Sequence, residues 1–165
     1  MRTGKYLLLS AMAVIGLTAC NNEEVFNEQA NEIQFNMIFP GQDSRATDTS
    51  FEANDQIGVY VTTNGASLQL GGNEVNNELF KYNGSSWTSE RKVYLNNNGK
   101  HHVYAYYPYS DTVNDVENYS FKVQEDQSSA SAYTKSDFMW ASKKDVTASN
   151  SPVSVQFDHK MSSVI

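Results

Sequence analysis

An all-β fold, an antiparallel β-sandwich of about seven to nine short strands, is what this sequence predicts. Three observations carry that expectation. Short runs alternate apolar and polar residues at period two, the repeat of a strand with one buried face. Asn64-Gly65, Asn83-Gly84 and Asn98-Gly99 are tight-turn dipeptides, since Asn and Gly tolerate the positive φ that hairpins require. Beyond the first twenty residues, no segment carries an apolar stripe at the 3.6-residue helical repeat. With 165 residues, 39% of them hydrophobic and including 8 Phe, 10 Tyr and 2 Trp, the chain is long enough for one domain with a sizeable core.

The chain divides at its start. Residues 1–19 read as a lipoprotein signal peptide: Arg2 and Lys5 make a positive head, and Leu7 to Leu17 is an apolar run too short to cross a bilayer comfortably. The run ends in Leu17-Thr18-Ala19-Cys20, small residues directly before the single cysteine, which resembles a bacterial lipobox. Cys20 is therefore the expected lipidation site, and no disulfide framework is available. Acyl chains at about 0.8 kcal/mol per buried methylene would hold the chain at a membrane surface without spanning it. Residues 20–32 are the lipidated cysteine and a polar tether. Removing residues 1–19 takes away two basic residues and no acidic ones, leaving 10 basic against 19 acidic and a net charge of −9. With no basic stripe to neutralise phosphates, nucleic acid is excluded as a partner.

The domain proper spans 33–165. Ile33, Phe35 and Met37 alternate with Gln34 and Asn36, a half-buried first strand that Pro40 stops. Gly41 to Ser50 is a small, polar loop with one basic residue, Arg45. In the next strand, Phe51 to Val61, Gly58 lies opposite Ile57, Val59 and Val61, which marks a place where a neighbour approaches the backbone closely. Leu68–Leu70, Leu79–Tyr82 and Val93–Leu95 read as short strands, and Gly71-Gly72 as a turn. Val103 to Tyr109 is the densest block of strand formers, large on both faces, which suits a strand covered on both sides or one covered on one side with its tyrosine hydroxyls reaching water, and Pro108 closes it. Tyr119, Phe121 and Val123 alternate as a further strand, Ser136 to Ala141 follows, and Lys143 to Ser151 is polar. The last strand sets Val153, Val155, Phe157, His159 and Met161 on one face, with His159 expected as a hydrogen-bonded core residue.

Little in the chain points to catalysis. His101 and His102 are adjacent on a strand and face opposite ways, so they do not chelate one ion together. There is no G-x-S-x-G elbow, and the aspartates fall mostly in loops. No enzymatic activity, catalytic residue, metal or cofactor is expected. Trp87 reads as a core residue.

Phe51-x-x-Asn54-Asp55-x-Ile57-Gly58-Val59-Tyr60, Tyr104-Ala105-Tyr106-Tyr107-Pro108-Tyr109, Asp126-Gln127, Ser136-Asp137-x-x-Trp140-Ala141 and Phe157-x-His159-x-Met161-Ser162, in this order behind a lipobox, resemble the fimbrillin family of fimbrial subunits. The resemblance runs from about residue 33 to the end, with Asn54 where the family often has glycine. It implies a transthyretin-like sandwich as the N-terminal of two domains, the second apparently missing here. It also implies an outer-membrane lipoprotein at the cell surface whose subunits polymerise into fimbriae that support adhesion. An arginine-directed maturation protease would cut between Arg45 and Ala46 and release the first strand, with Ile33, Phe35 and Met37. A strand from another fimbrial subunit would then fill the vacated groove by donor-strand exchange. The alternative is a non-polymerising surface lipoprotein that binds glycan or a host ligand.

Overall fold

The computed structural model describes residues 32–40, 50–63, 65–97 and 99–161. Among these residues seven strands carry the fold: β1 (Phe35–Ile38), β2 (Gln56–Thr63), β3 (Val75–Tyr82), β4 (Trp87–Thr88), β5 (His101–Tyr107), β6 (Met139–Val146) and β7 (Val153–His159). A short helix, α1 (Ala130–Thr134), precedes β6. The protein is all-β, as its alternating runs and turn residues lead one to expect.

The strands join in one sheet in the order β1-β7-β6-β5-β2-β3-β4. The sheet curls until its two ends face each other, so β1 meets β3 and β4 across a shared core. Phe35 of β1 sits edge-on to Phe80 of β3 at 5.0 Å, and Phe51 bridges Trp87 at 5.0 Å and Phe157 at 5.5 Å. Such edge-to-face pairs add about 0.5–1.5 kcal/mol each beyond the area they bury. Ile57, Val59, Val61, Val103, Ala105, Val155 and Phe157 are fully buried between the two halves.

Among the described residues five of the six strand pairings, β2–β3, β2–β5, β3–β4, β5–β6 and β6–β7, are antiparallel, and β1 alone runs parallel to its neighbour, β7.

 The parallel pair departs from the wholly antiparallel expectation. Alternation along a single strand reports which face is buried and carries no information on the direction of its neighbour.

β5 is covered on both faces, the first of the two arrangements its composition allows. Val103, Ala105 and Tyr107 point into the main core, while Tyr106 joins Tyr60, Val113 and Val116 in a second cluster on the outer face. Tyr106 lies directly across from Gly58 of β2. Its one hydroxyl hydrogen has two acceptors within reach, Asn77 Oδ1 at 2.7 Å and the Ser110 carbonyl at 2.9 Å, and its oxygen accepts the Ser110 N–H at 3.2 Å. Burial raises its pKa well above the ordinary tyrosine value, against the opposing effect of the Ser110 bond. Tyr106→Phe would leave Asn77 and Ser110 short of that partner. The expected loss is about 1–3 kcal/mol, read as a lower urea midpoint at unchanged m-value.

Other expectations are revised. The Phe51 to Val61 segment starts as a turn, with Asn54 at φ 83°, and becomes strand at Gln56. Asn is one of the few residues that adopts this left-handed conformation readily, so it stands in for glycine here. Leu68–Leu70 is loop, with Leu70 71% exposed, and Val93–Leu95 makes only the isolated Glu32–Tyr94 bridge. Tyr119, Phe121 and Val123 form no strand. Tyr119 and Phe121 instead lay their rings against Phe138 on the outer face, and the Gln124 N–H bonds Ser136 Oγ at 2.9 Å. β6 runs on through Lys143 and Lys144 to Val146, where polar composition suggested loop. Both lysines are exposed, so the strand is held there by its β5 pairing and not by burial. Met161 is 42% exposed, outside the face it was expected to share.

Candidate functional site

β1 occupies one end of the sheet. Its inner side chains Ile33, Phe35 and Met37 are 6%, 6% and 8% exposed, whereas Gln34, Asn36 and Ile38 face outward. Its hydrogen-bonded neighbour is β7, in the register Phe35–Val153 to Ile38–Gln156. The Val153 N–H donates to the Gln34 carbonyl at 2.7 Å, and Gln156 Nε2 reaches the Phe39 carbonyl at 3.1 Å. On its other side β1 is unpaired along Phe35–Ile38 among the described residues, and contact with the segment after β4 is confined to its entry. There the Ile33 N–H donates to the Val93 carbonyl at 2.8 Å, and Lys92 Nζ lies 3.1 Å from Glu32 Oε2. Both charged groups of that pair are partly exposed, so it contributes about 1 kcal/mol or less.

Between this free edge and β4 runs an open groove of about 910 Å³, lined among others by Ile33, Phe35, Phe80, Trp87 and Ser154. Its apolar lining continues the main core. β1 thus plugs a hydrophobic trough while making a ladder on one edge only.

The far end of β1 meets a histidine. His159 has a side chain 16% exposed, Nδ1 2.8 Å from Asp137 Oδ2, and its ring edge-on to Phe39 at 5.8 Å. It is a mostly buried, hydrogen-bonded residue, as its position on the strand predicts. Asp137, twenty-two residues away, had no signal in the sequence that would name it as the partner. His101 and His102 face opposite ways. His101 is 1% exposed, with Nδ1 2.8 Å from Glu74 Oε2 and Nε2 3.0 Å from the Asn96 carbonyl. A carbonyl only accepts, so Nε2 carries a hydrogen. His102 Nδ1 accepts the Asp145 N–H at 3.2 Å on the other face. Trp87 is 7% exposed and packs on Phe51 and Tyr82, the core residue its sequence context leads one to expect.

Cys20, Arg45 and Ala46 lie outside the described residues. The groove and its plug, Ile33, Phe35 and Met37, are therefore the part of the expected processing machinery whose geometry is on view.

The model of the fimbrillin-like family matches residues 44–165. The chain belongs to that family. Among individual proteins it is similar to a candidate fimbrium tip subunit, Fim1C, of Bacteroides ovatus, with 29% identity over 181 aligned positions. That alignment covers 95% of this chain and 33% of the relative, so the chain spans about a third of the relative's length. A crystal structure of a fimbrial protein from the same species superposes with a TM-score of 0.58 at 27% identity, over 81% of this chain and 29% of that one. A candidate cell adhesion protein, also from Bacteroides ovatus, superposes at 0.60 with 21% identity, over 80% of this chain and 53% of that one; at this identity the likeness concerns the fold.

Proposed function

We propose that this chain is the N-terminal, strand-accepting domain of a structural fimbrial subunit at the cell surface, non-enzymatic and working through assembly with other subunits. Residues 1–19 direct export, Cys20 anchors the precursor to the outer membrane by its acyl chains, and residues 20–32 tether the domain of residues 33–165. Cleavage after Arg45 frees β1, and a strand of a neighbouring subunit takes its place, building a fimbrium that supports adhesion.

The observation that carries this reading is the state of β1. It seats three apolar side chains in the core yet has a ladder on one edge only. A replacement strand with the same alternation would restore both the main-chain bonds to β7 and the side-chain anchors. Membership in the fimbrillin-like family and the similarity to a candidate tip subunit support the fimbrial role.

The test compares surface-assembled material from wild type, Arg45→Ala and Cys20→Ser. Wild-type polymer is expected to begin at Ala46 by N-terminal sequencing and to run as an SDS-resistant ladder. Arg45→Ala should lose the ladder and keep fatty-acid label, and Cys20→Ser should lose the label. Polymers that still begin at Cys20 would remove the cleavage step, and equal label in Cys20→Ser would remove the lipid anchor.

A further inference from the structure

The outer-face cluster leaves one polar atom without a partner. Tyr60 is 3% exposed, and among the described residues its hydroxyl is the one buried side-chain oxygen or nitrogen that makes no hydrogen bond. Native interiors seldom leave such a group unmet, and an exception asks for a reason. Tyr60 lines a cavity of about 300 Å³ between the Leu68–Leu70 segment and the turn at residues 114–118. That volume is at the lower end of the range for small-ligand sites, about 300–1,000 Å³.

The turn is built around Asp115. Its Oδ1 accepts the N–H groups of Glu117 and Asn118 at 3.1 Å, and its Oδ2 accepts the Asn118 amide at 2.8 Å. These bonds, the Asn118 amide first, hold its carboxyl below the usual aspartate range. Asp115 is therefore a fixed carboxylate with about one of its roughly four acceptor sites open. Burial first, and the Asp115 charge second, raise the Tyr60 phenol above its ordinary value, so it keeps its proton. Tyr60 and Asp115 thus line one cavity, the first with a donor that lacks an acceptor and the second with an acceptor site still open.

Ligand chemistry follows from that pairing. An ammonium can donate to the carboxylate but has no lone pair for the phenol proton. An anionic group would meet the like charges of Asp115 and Glu117. A hydroxyl does both, accepting from Tyr60 and donating to Asp115. A ring with several hydroxyls would also find the amides of Asn114 and Asn118, with Leu68 and the exposed Leu70 against its C–H face. We infer that this cavity binds a neutral saccharide unit, with one sugar hydroxyl bridging Tyr60 and Asp115. The site lies on the outer face, away from the strand groove, and stands or falls independently of strand exchange.

The experiment titrates the purified full chain with methyl glycosides of galactose, glucose, mannose and fucose, and separately with N-acetylneuraminic acid and methylamine. Backbone amide shifts of residues 114–118 are the readout. Saturable shifts are expected with at least one neutral glycoside and with neither charged probe. Tyr60→Phe should abolish them, and Asp115→Asn should weaken binding about tenfold. The melting temperature of Tyr60→Phe should stay level or rise, since the variant removes a group that has no partner in the fold. Absence of saturable shifts with all four glycosides would mean that the cavity holds bound water only and would overturn the inference. So would saturation by methylamine, wild-type binding by Tyr60→Phe, or a clear drop in that variant's melting temperature.

Discussion

Gly58→Val is expected to cost about 2–6 kcal/mol, the sum of overpacking and a broken buried hydrogen-bond set. Gly58 pairs directly with Tyr106 across β2 and β5, and the tyrosine ring lies over the bare backbone. A Cβ built there would run into that ring and come within 2.6 Å of Asn77 Oδ1. Neither neighbour can withdraw easily, because the Tyr106 hydroxyl is tied to Asn77 and to Ser110. Against a total stability of about 5–15 kcal/mol, such a loss is a large fraction of what holds the protein folded. A double-mutant cycle separates ring crowding from a general strand defect. In a Tyr106→Ala background the valine should find space, and its cost should fall by about 1.5 kcal/mol or more. An unchanged cost in that background would show that the ring is not the obstacle.

The same glycine shows what a sequence makes legible. An isolated Gly within a β-branched run is a local signal, and it correctly marks a close approach. Which ring approaches is a matter of register between segments almost fifty residues apart, and no local pattern encodes that. The strand character of β5, the core position of Trp87 and the half-buried first strand were readable for the same reason: each depends on the chemistry and spacing of neighbouring residues.

What was not legible depended on tertiary partners. Tyr119, Phe121 and Val123 have the period of a strand, yet the first two rings are used to roof Tyr106 and Phe138, and no ladder forms. The polar half of β6 is strand because β5 supplies its bonds, from Tyr107–Met139 to His101–Val146. The parallel direction of β1 and the buried His101–Glu74 and His159–Asp137 pairs likewise join distant segments. At the groove, sequence named the plug, Ile33, Phe35 and Met37, but not the Phe80 and Trp87 that line the trough with it. The Tyr60 cavity had no signal at all, since a tyrosine in a strand says nothing about whether its hydroxyl finds a partner.

A chain beginning at Ala46 is expected to be unable to hold the native fold alone and to regain it with a peptide spanning residues 32–40. Removing β1 withdraws Ile33, Phe35 and Met37 from the core. At about 1.5–3 kcal/mol for each large side chain, their loss comes to roughly 5–9 kcal/mol. That is comparable with the whole stability of an ordinary domain. It also bares the inner faces of Phe80 and Trp87 and frees one edge of β7, whose Val153 N–H loses the Gln34 carbonyl. An open apolar groove beside an unpaired edge favours strand capture or aggregation. The truncated chain should therefore bind a hydrophobic dye and melt early or without cooperativity. Added peptide should reverse both effects saturably, whereas a peptide carrying Phe35→Arg should not, because it offers the same main-chain bonds without the central anchor. A truncated chain that melts like the full one, and ignores the peptide, would mean that β1 is dispensable and that its release creates no acceptor. Rescue by the wild-type peptide alone would establish that the groove selects its occupant by alternating side chains, as replacement of β1 by another subunit's strand requires.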